Sequence, residues 1–150
     1  PLDLHPVYGN NRALADLIGL ENLEPFGEYD GIKIGFKGSL PATSAEKLTE
    51  LLEQKLDSQV KVIGTGEIKT VGLVTGGAAD IVRQAIQEGL DCYITGEGAN
   101  HHFHEATEGN CILIFAGHYA TETGGVKSVG KHLKEKFDID SEFLHYPTGL

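Results

Sequence analysis

Apolar and polar positions recur with two different periods along the chain, and the changes of period mark out its elements. Residues 10–19, NNRALADLIG, carry Leu14, Leu17 and Ile18 at helical spacing behind an asparagine cap, and Gly19 stops the run. The stretch 31–38, GIKIGFKG, alternates with period two and predicts a strand. Residues 41–56, PATSAEKLTELLEQKL, predict an amphipathic helix with Ala45, Leu48, Leu51, Leu52 and Leu56 on one face, its start marked by Pro41 and Ser44. Two strand-like runs joined at GTGE occupy 59–77, and a helix with a glycine stop follows over 78–90.

DCYITGE (91–97) reads as a strand, ANHHFHEATEG (99–109) as a short helix and CILIFAG (111–117) as a buried strand. A helix from about residue 119 to 136 and a last strand at SEFLHY (141–146) complete the pattern, while residues 20–30 look like a loop. Strands that alternate with helices through the second half predict an α/β layered domain with a mixed, partly parallel sheet flanked by helices. No linker-like stretch divides residues 1–150, so a single domain is expected.

Composition narrows the function classes. Of the 150 residues, 40% are apolar and 23% charged, which is a globular balance. The formal net charge of -10 argues against a surface built to neutralise nucleic-acid phosphates or anionic lipid, and it permits local carboxylate clusters, which suit cations. No run approaches the ~20 apolar residues of a membrane-spanning helix. Cys92 and Cys111 both fall in apolar runs, where free thiols pack as small hydrophobes, and a reducing cytoplasm fits them. The chain opens at Pro1 and contains no methionine, so either a processed start or a piece of a longer protein is expected.

Candidate chemistry concentrates where predicted strands end. In AGHYATETGG (116–125), His118 and Glu122 are four apart just beyond the strand 111–117. In open α/β sheets ligands gather outside the carboxyl ends of strands. On a helix starting near Tyr119 the two side chains would project to one side. Imidazole nitrogen plus carboxylate oxygen suits zinc, manganese or iron. The competing reading is a helix start, with Thr121 as cap and Glu122 favouring the positive end.

A second cluster, TGEGANHHFHEATE (95–108), follows another strand. Glu97 stands at the strand's exit; His101 and Glu105 are one helical turn apart, as are His104 and Glu108, with His102 turned away. A polar, solvated helix face is the alternative. In PLDLHP (1–6), Asp3 and His5 share a face if the hexapeptide is a terminal strand. The glycine turn VTGGAAD (74–80) lacks the lysine and Ser/Thr of a phosphate loop and reads as a tight turn.

Taken together, ITGE at 94–97 and AGHYATETGGV at 116–126 resemble the C-terminal signature of the Nif-three-like family, whose members are often named as type-two GTP cyclohydrolase I homologues. The opening PLDLHPVYGNNRALADLIGL and the segment AADIVRQAIQEGLDCYITGE resemble it as well, and the likeness is weakest over about residues 20–60. The resemblance implies a layered α/β fold with a dinuclear divalent-metal centre, toroidal hexamers, and the C-terminal portion of such a protein for this chain. It implies metal ligation by Asp3, His118 and Glu122, with Glu122 ligating or bridging both ions. Glu97 and the histidines after it would line the cleft, and either Glu97 or His101 would shuttle protons. The family's adjacent histidine pair lies upstream of the Leu-Asp segment, so the pair His101–His102 is not its counterpart. The implied activity is metal-dependent hydrolysis of a small, nucleotide-like substrate. A non-catalytic metal-binding or protein-interaction scaffold with a regulatory role is the alternative.

Overall fold

The computed structural model describes residues 2–147. Its six strands form one sheet in the order β1-β2-β4-β5-β6-β3. The strands are β1 (Glu21–Tyr29), β2 (Ile32–Ser44), β3 (Lys61–Ile63), β4 (Glu67–Leu73), β5 (Cys92–Thr95) and β6 (Ile112–Phe115). β4, β5 and β6 run parallel at the centre, while β1 on β2, β2 on β4 and β3 on β6 are antiparallel. The fold is therefore α/β with a mixed, partly parallel sheet.

Helices cover both faces, and the strands' period of two explains how. In β5 and β6 the residues Cys92, Ile94, Ile112 and Ile114 join one core. That core is completed by Leu14, Ala15 and Ile18 around α1 (Asn10–Leu17) and by Ala45, Leu48 and Leu52 of α2 (Ala45–Leu56). The intervening Tyr93 and Leu113 point the other way. They meet Val82 and Ala85 of α3 (Val82–Gln87) and Ala106 of α4 (His101–Glu108). Strands buried on both faces must be apolar throughout, which is why CYI and ILI are so legible. Tyr93, fully buried, places its hydroxyl on Ala78 O at 2.7 Å.

Four expectations need correction. Residues 20–30 are not a loop: β1 occupies most of them. It is an edge strand with one buried core side chain, Phe26, and its Pro25 is tolerated because an edge strand has an unpaired side. β2 runs on past Pro41 to Ser44, so α2 begins at Ala45 with Ser44 as its N-cap, the hydroxyl accepting from Lys47 N. The helix expected over 119–136 is two, α5 (His118–Thr121) and α6 (Gly124–Phe137). The Gly125 amide, which a continuous helix would direct at the Thr121 carbonyl, donates instead to Asn10 Oδ1 at 2.6 Å. SEFLHY forms no strand; Phe143 lies under Lys127 Nζ and Tyr146 N donates to the Tyr119 hydroxyl, so side chains tether it and not a ladder.

The opening hexapeptide also differs from expectation. Leu2–Leu4 form a 3-10 turn, not a strand, and α1 is capped by Gly9, with Asn10 inside the helix. The asparagine side chains are used elsewhere. Asn11, buried, donates to Ile34 O at 2.7 Å and accepts from Thr75 N at 2.8 Å, which ties α1 to β2 and to the loop after β4. Cys92 and Cys111 are buried free thiols. Among the described residues, no helix is long and apolar enough to cross a membrane.

Candidate metal centre

Because β4, β5 and β6 are parallel, their carboxyl ends share one edge of the sheet, and the three loops that leave them are laced together there. The Gly76 carbonyl accepts from Gly96 N at 2.8 Å and from Thr95 Oγ1 at 3.1 Å, and Gly96 O accepts from Gly117 N at 2.9 Å. Thr121 Oγ1, expected as a helix cap, accepts from Gly76 N at 3.1 Å and donates to His118 O at 3.0 Å. Side chains are disfavoured at two glycines of this edge. Gly76 has φ +73, and a Cβ there would collide with Glu122 Oε1; a Cβ on Gly96 would stand 2.7 Å from the His118 Cα.

His118 projects from this edge between two carboxylates. Its Nδ1 lies 2.8 Å from Glu97 Oε1 and its Nε2 lies 3.3 Å from Glu122 Oε2. Hydrogen bonding to Glu97 raises the His118 pKa; partial burial opposes this, and the charges of Glu122 and Glu97 add to it. The arrangement matches a ligating imidazole whose second nitrogen is held by a carboxylate.

Asp3 reaches the same region from the amino-terminal turn. Asn10 Nδ2 donates to Asp3 Oδ1 at 2.5 Å, so the side chain that captures Gly125 also holds this carboxylate. Asp3, Asn11, Thr75, Asp80 and Glu122 line one cavity of about 370 Å³. Thr75, on its wall, has an Oγ1 that is buried behind the surface without a hydrogen-bond partner. Three carboxylates, those of Asp3, Asp80 and Glu122, line this cavity and fit a cationic occupant. A larger hollow of 690 Å³ between α6 and residues 140–144 has no imidazole or thiol on its walls.

The expected residues are thus brought together unequally. His118 meets Glu97 and Glu122, and Asp3 shares the cavity with Glu122. Yet Asp3, His118 and Glu122 do not form a set of three with ligand atoms within 4.8 Å of one another; among the described residues that set is Asp80, His101 and His102. His101 faces Asp80 Oδ1 at 3.9 Å, and His102 is not turned away into solvent but buried, with Nε2 3.3 Å from the same oxygen. Asp80 was missed because its segment, VTGGAAD, offered only a backbone turn. Its partners lie 21 and 22 positions on, and only the fold brings them together.

The chain is similar to proteins of one family. The family model described as Duf34/NIF3 (NGG1p interacting factor 3) matches residues 1–148. A "GTP cyclohydrolase 1 type 2 homolog" of Halobacterium salinarum is 41% identical over 100% of this chain and 61% of its own length. A protein of the same name from Pyrococcus abyssi is 42% identical, with the same coverage. Among solved structures, the protein ybgI, described as of unknown function, superposes with a TM-score of 0.89 at 31% identity, over 99% of this chain and 60% of that one. TTHA1606 from Thermus thermophilus gives 0.88 at 35% identity, over 100% of this chain and 60% of that one. The chain therefore spans about 60% of the length of the relatives it matches.

Proposed function

The chain belongs to the Duf34/NIF3 family, and on that premise we propose that it carries part of a dinuclear-metal hydrolase site for a nucleotide-like substrate, similar to what a GTP cyclohydrolase would need. The observation that carries this reading is the placement of His118 between Glu97 and Glu122, with Glu122 facing Asp3 across one cavity. Asp3, His118 and Glu122 would hold divalent zinc, manganese or iron, and the histidine pair that the resemblance puts upstream of Asp3 would complete the donor set. Bound ions of this kind supply Lewis acidity and an activated water.

The chain's own residues supply the rest. Glu97 fixes the ring of His118 through Nδ1, and it is also a proton carrier beside that imidazole. His101 is the alternative proton carrier, exposed beside Asp80 and free for that role only while its imidazole holds no ion. Asp3, Asp80 and Glu122 would repel a phosphate-bearing ligand on their own, so an anionic substrate requires the cations that the cavity is built to attract. Assembly into a homo-oligomer, a hexamer by resemblance, is consistent with exposed Val126, Phe137, Leu144 and Tyr146. A cytoplasmic setting suits the two reduced, buried thiols.

Elemental analysis of purified protein tests the reading: about one or two transition ions per chain are expected at this centre, and Glu122→Ala should lose the ions that depend on His118 and Glu122. Turnover of GTP or a phosphoester that vanishes in the same variant supports the hydrolase. A second reading, a metal-binding scaffold without turnover, is favoured by the failure of Asp3, His118 and Glu122 to close into one compact triad. Bound metal with no turnover across a panel of nucleotides would select it.

A further inference from the structure

The adjacent histidines that open α4 build a second donor cluster, which shares no ligand with the His118–Glu122 pair. We propose that Asp80, His101 and His102 form a separate site for a divalent transition-metal ion, on the flank of the cavity that Asp80 lines. Three observations converge on it. First, the spacing suits an ion. Asp80 Oδ1 is 3.3 Å from His102 Nε2 and 3.9 Å from His101 Nε2, and the three ligand atoms fall within 4.8 Å of one another. A tetrahedral ion with bonds of about 2.0–2.1 Å spreads its donors roughly 3.4 Å apart. The 3.9 Å separation is too long for a hydrogen bond, so this carboxylate and imidazole face each other without a direct link.

Second, consecutive helical side chains normally diverge. Here the rings of His101 and His102 are 4.0 Å apart at an interplanar angle of 40°, and both address one carboxylate. Third, His102 is prepared for either tautomer. Its Nδ1 lies 2.9 Å from Ala99 N and 3.1 Å from Ala99 O. With the proton on Nε2, Nδ1 accepts from the Ala99 amide. With Nε2 given to an ion, Nδ1–H donates to the Ala99 carbonyl, the backbone partner that ligating histidines ordinarily have.

The neighbouring cation does not forbid the site. Arg83 Nη2 is 3.6 Å from Asp80 Oδ1, but its guanidinium is held by Glu105 Oε1 through Nε at 3.1 Å and Nη2 at 2.5 Å. Glu105 thereby offsets the arginine's charge, and its Oε2 stays buried and unpartnered one helical turn from His101. Two imidazoles and one carboxylate leave open positions for water. That donor set suits zinc or ferrous iron and not magnesium or calcium.

The test uses Zn²⁺ as probe, in Glu122→Gln protein stripped of metal, followed by imidazole ¹⁵N NMR and by calorimetry. The proposal expects His102 to pass from the Nε2–H to the Nδ1–H tautomer as one equivalent of Zn²⁺ is added. His101→Ala and Asp80→Asn, both at exposed side chains, should each weaken that binding by at least about tenfold while leaving the thermal midpoint in place. A His102 tautomer indifferent to Zn²⁺, or affinity unchanged in both variants, would overturn it. Because Glu122 is already removed, failure here leaves the His118 centre untouched, and failure of that centre leaves this one standing.

Discussion

Glu97 Oε1 stands 2.8 Å from His118 Nδ1, two residues at the exits of neighbouring parallel strands joined across 21 positions of chain. The contact leaves Nε2 as the nitrogen that faces Glu122. Glu97→Gln keeps the size and weakens the acceptor, so transition-metal affinity should fall about 10–100-fold with the fold intact. Calorimetric titration with Zn²⁺ beside a circular-dichroism melt separates the two effects; an unaltered affinity would remove Glu97 from the centre.

Gly76 is the tightest point beneath the centre. Gly76→Ala forces a left-handed backbone on a residue with a Cβ, at a cost of roughly 1–2 kcal/mol, and drives that Cβ into Glu122. The expected result is a lower thermal midpoint together with loss of the metal that depends on His118 and Glu122. Gly89, also at positive φ but with open space around it, is the control, and Gly89→Ala should lower the midpoint alone.

Asp91 links acid stability to the sheet. Burial opposes its ionisation, but the amides of Lys69 and Thr70 and the Thr70 hydroxyl all donate to Oδ2, and together they lower its pKa. A carboxyl depressed in the folded state adds stability above its unfolded value of about 3.9, and that stability is lost as pH falls through the lower folded value. Denaturant midpoints should therefore drop below about pH 4, and Asp91→Asn should flatten that limb while lowering the plateau at neutral pH.

The thiols should be silent until the protein unfolds. Burial pushes Cys92 well above the ordinary thiol range and Cys111 up to about 11. The thiolate is the reacting form. A disulfide reagent at pH 8 is expected to titrate neither thiol in native protein and both in guanidinium chloride. Rapid labelling of Cys92 before unfolding would contradict its burial between the layers.

Legibility followed burial. CYI and ILIF are legible because a central parallel strand is apolar on both faces, whereas β1 presents mostly polar side chains to water and its sequence reads as a loop. The break between α5 and α6 was hidden because its cause, the Gly125 amide bonding to Asn10, lies 115 residues away in the chain. At the site, the i,i+4 relation of His118 and Glu122 could be read directly from spacing. The pairing of Glu97 with His118, and of Asp80 with the histidines of α4, depends on strand order, which local pattern does not encode.

The lacing of the Gly76, Gly96 and Gly117 peptides has a dynamic corollary. The Gly76 carbonyl serves Thr95 Oγ1 and the amides of Gly96 and Glu97, the Gly96 carbonyl serves Gly117, and Thr121 clasps the Gly76 amide. No single one of these segments opens without releasing a neighbour's amide. Under conditions where closing outpaces isotope labelling, the amides of Gly76, Gly96 and Gly117 should trade hydrogen for deuterium at a common free energy, as one foldon.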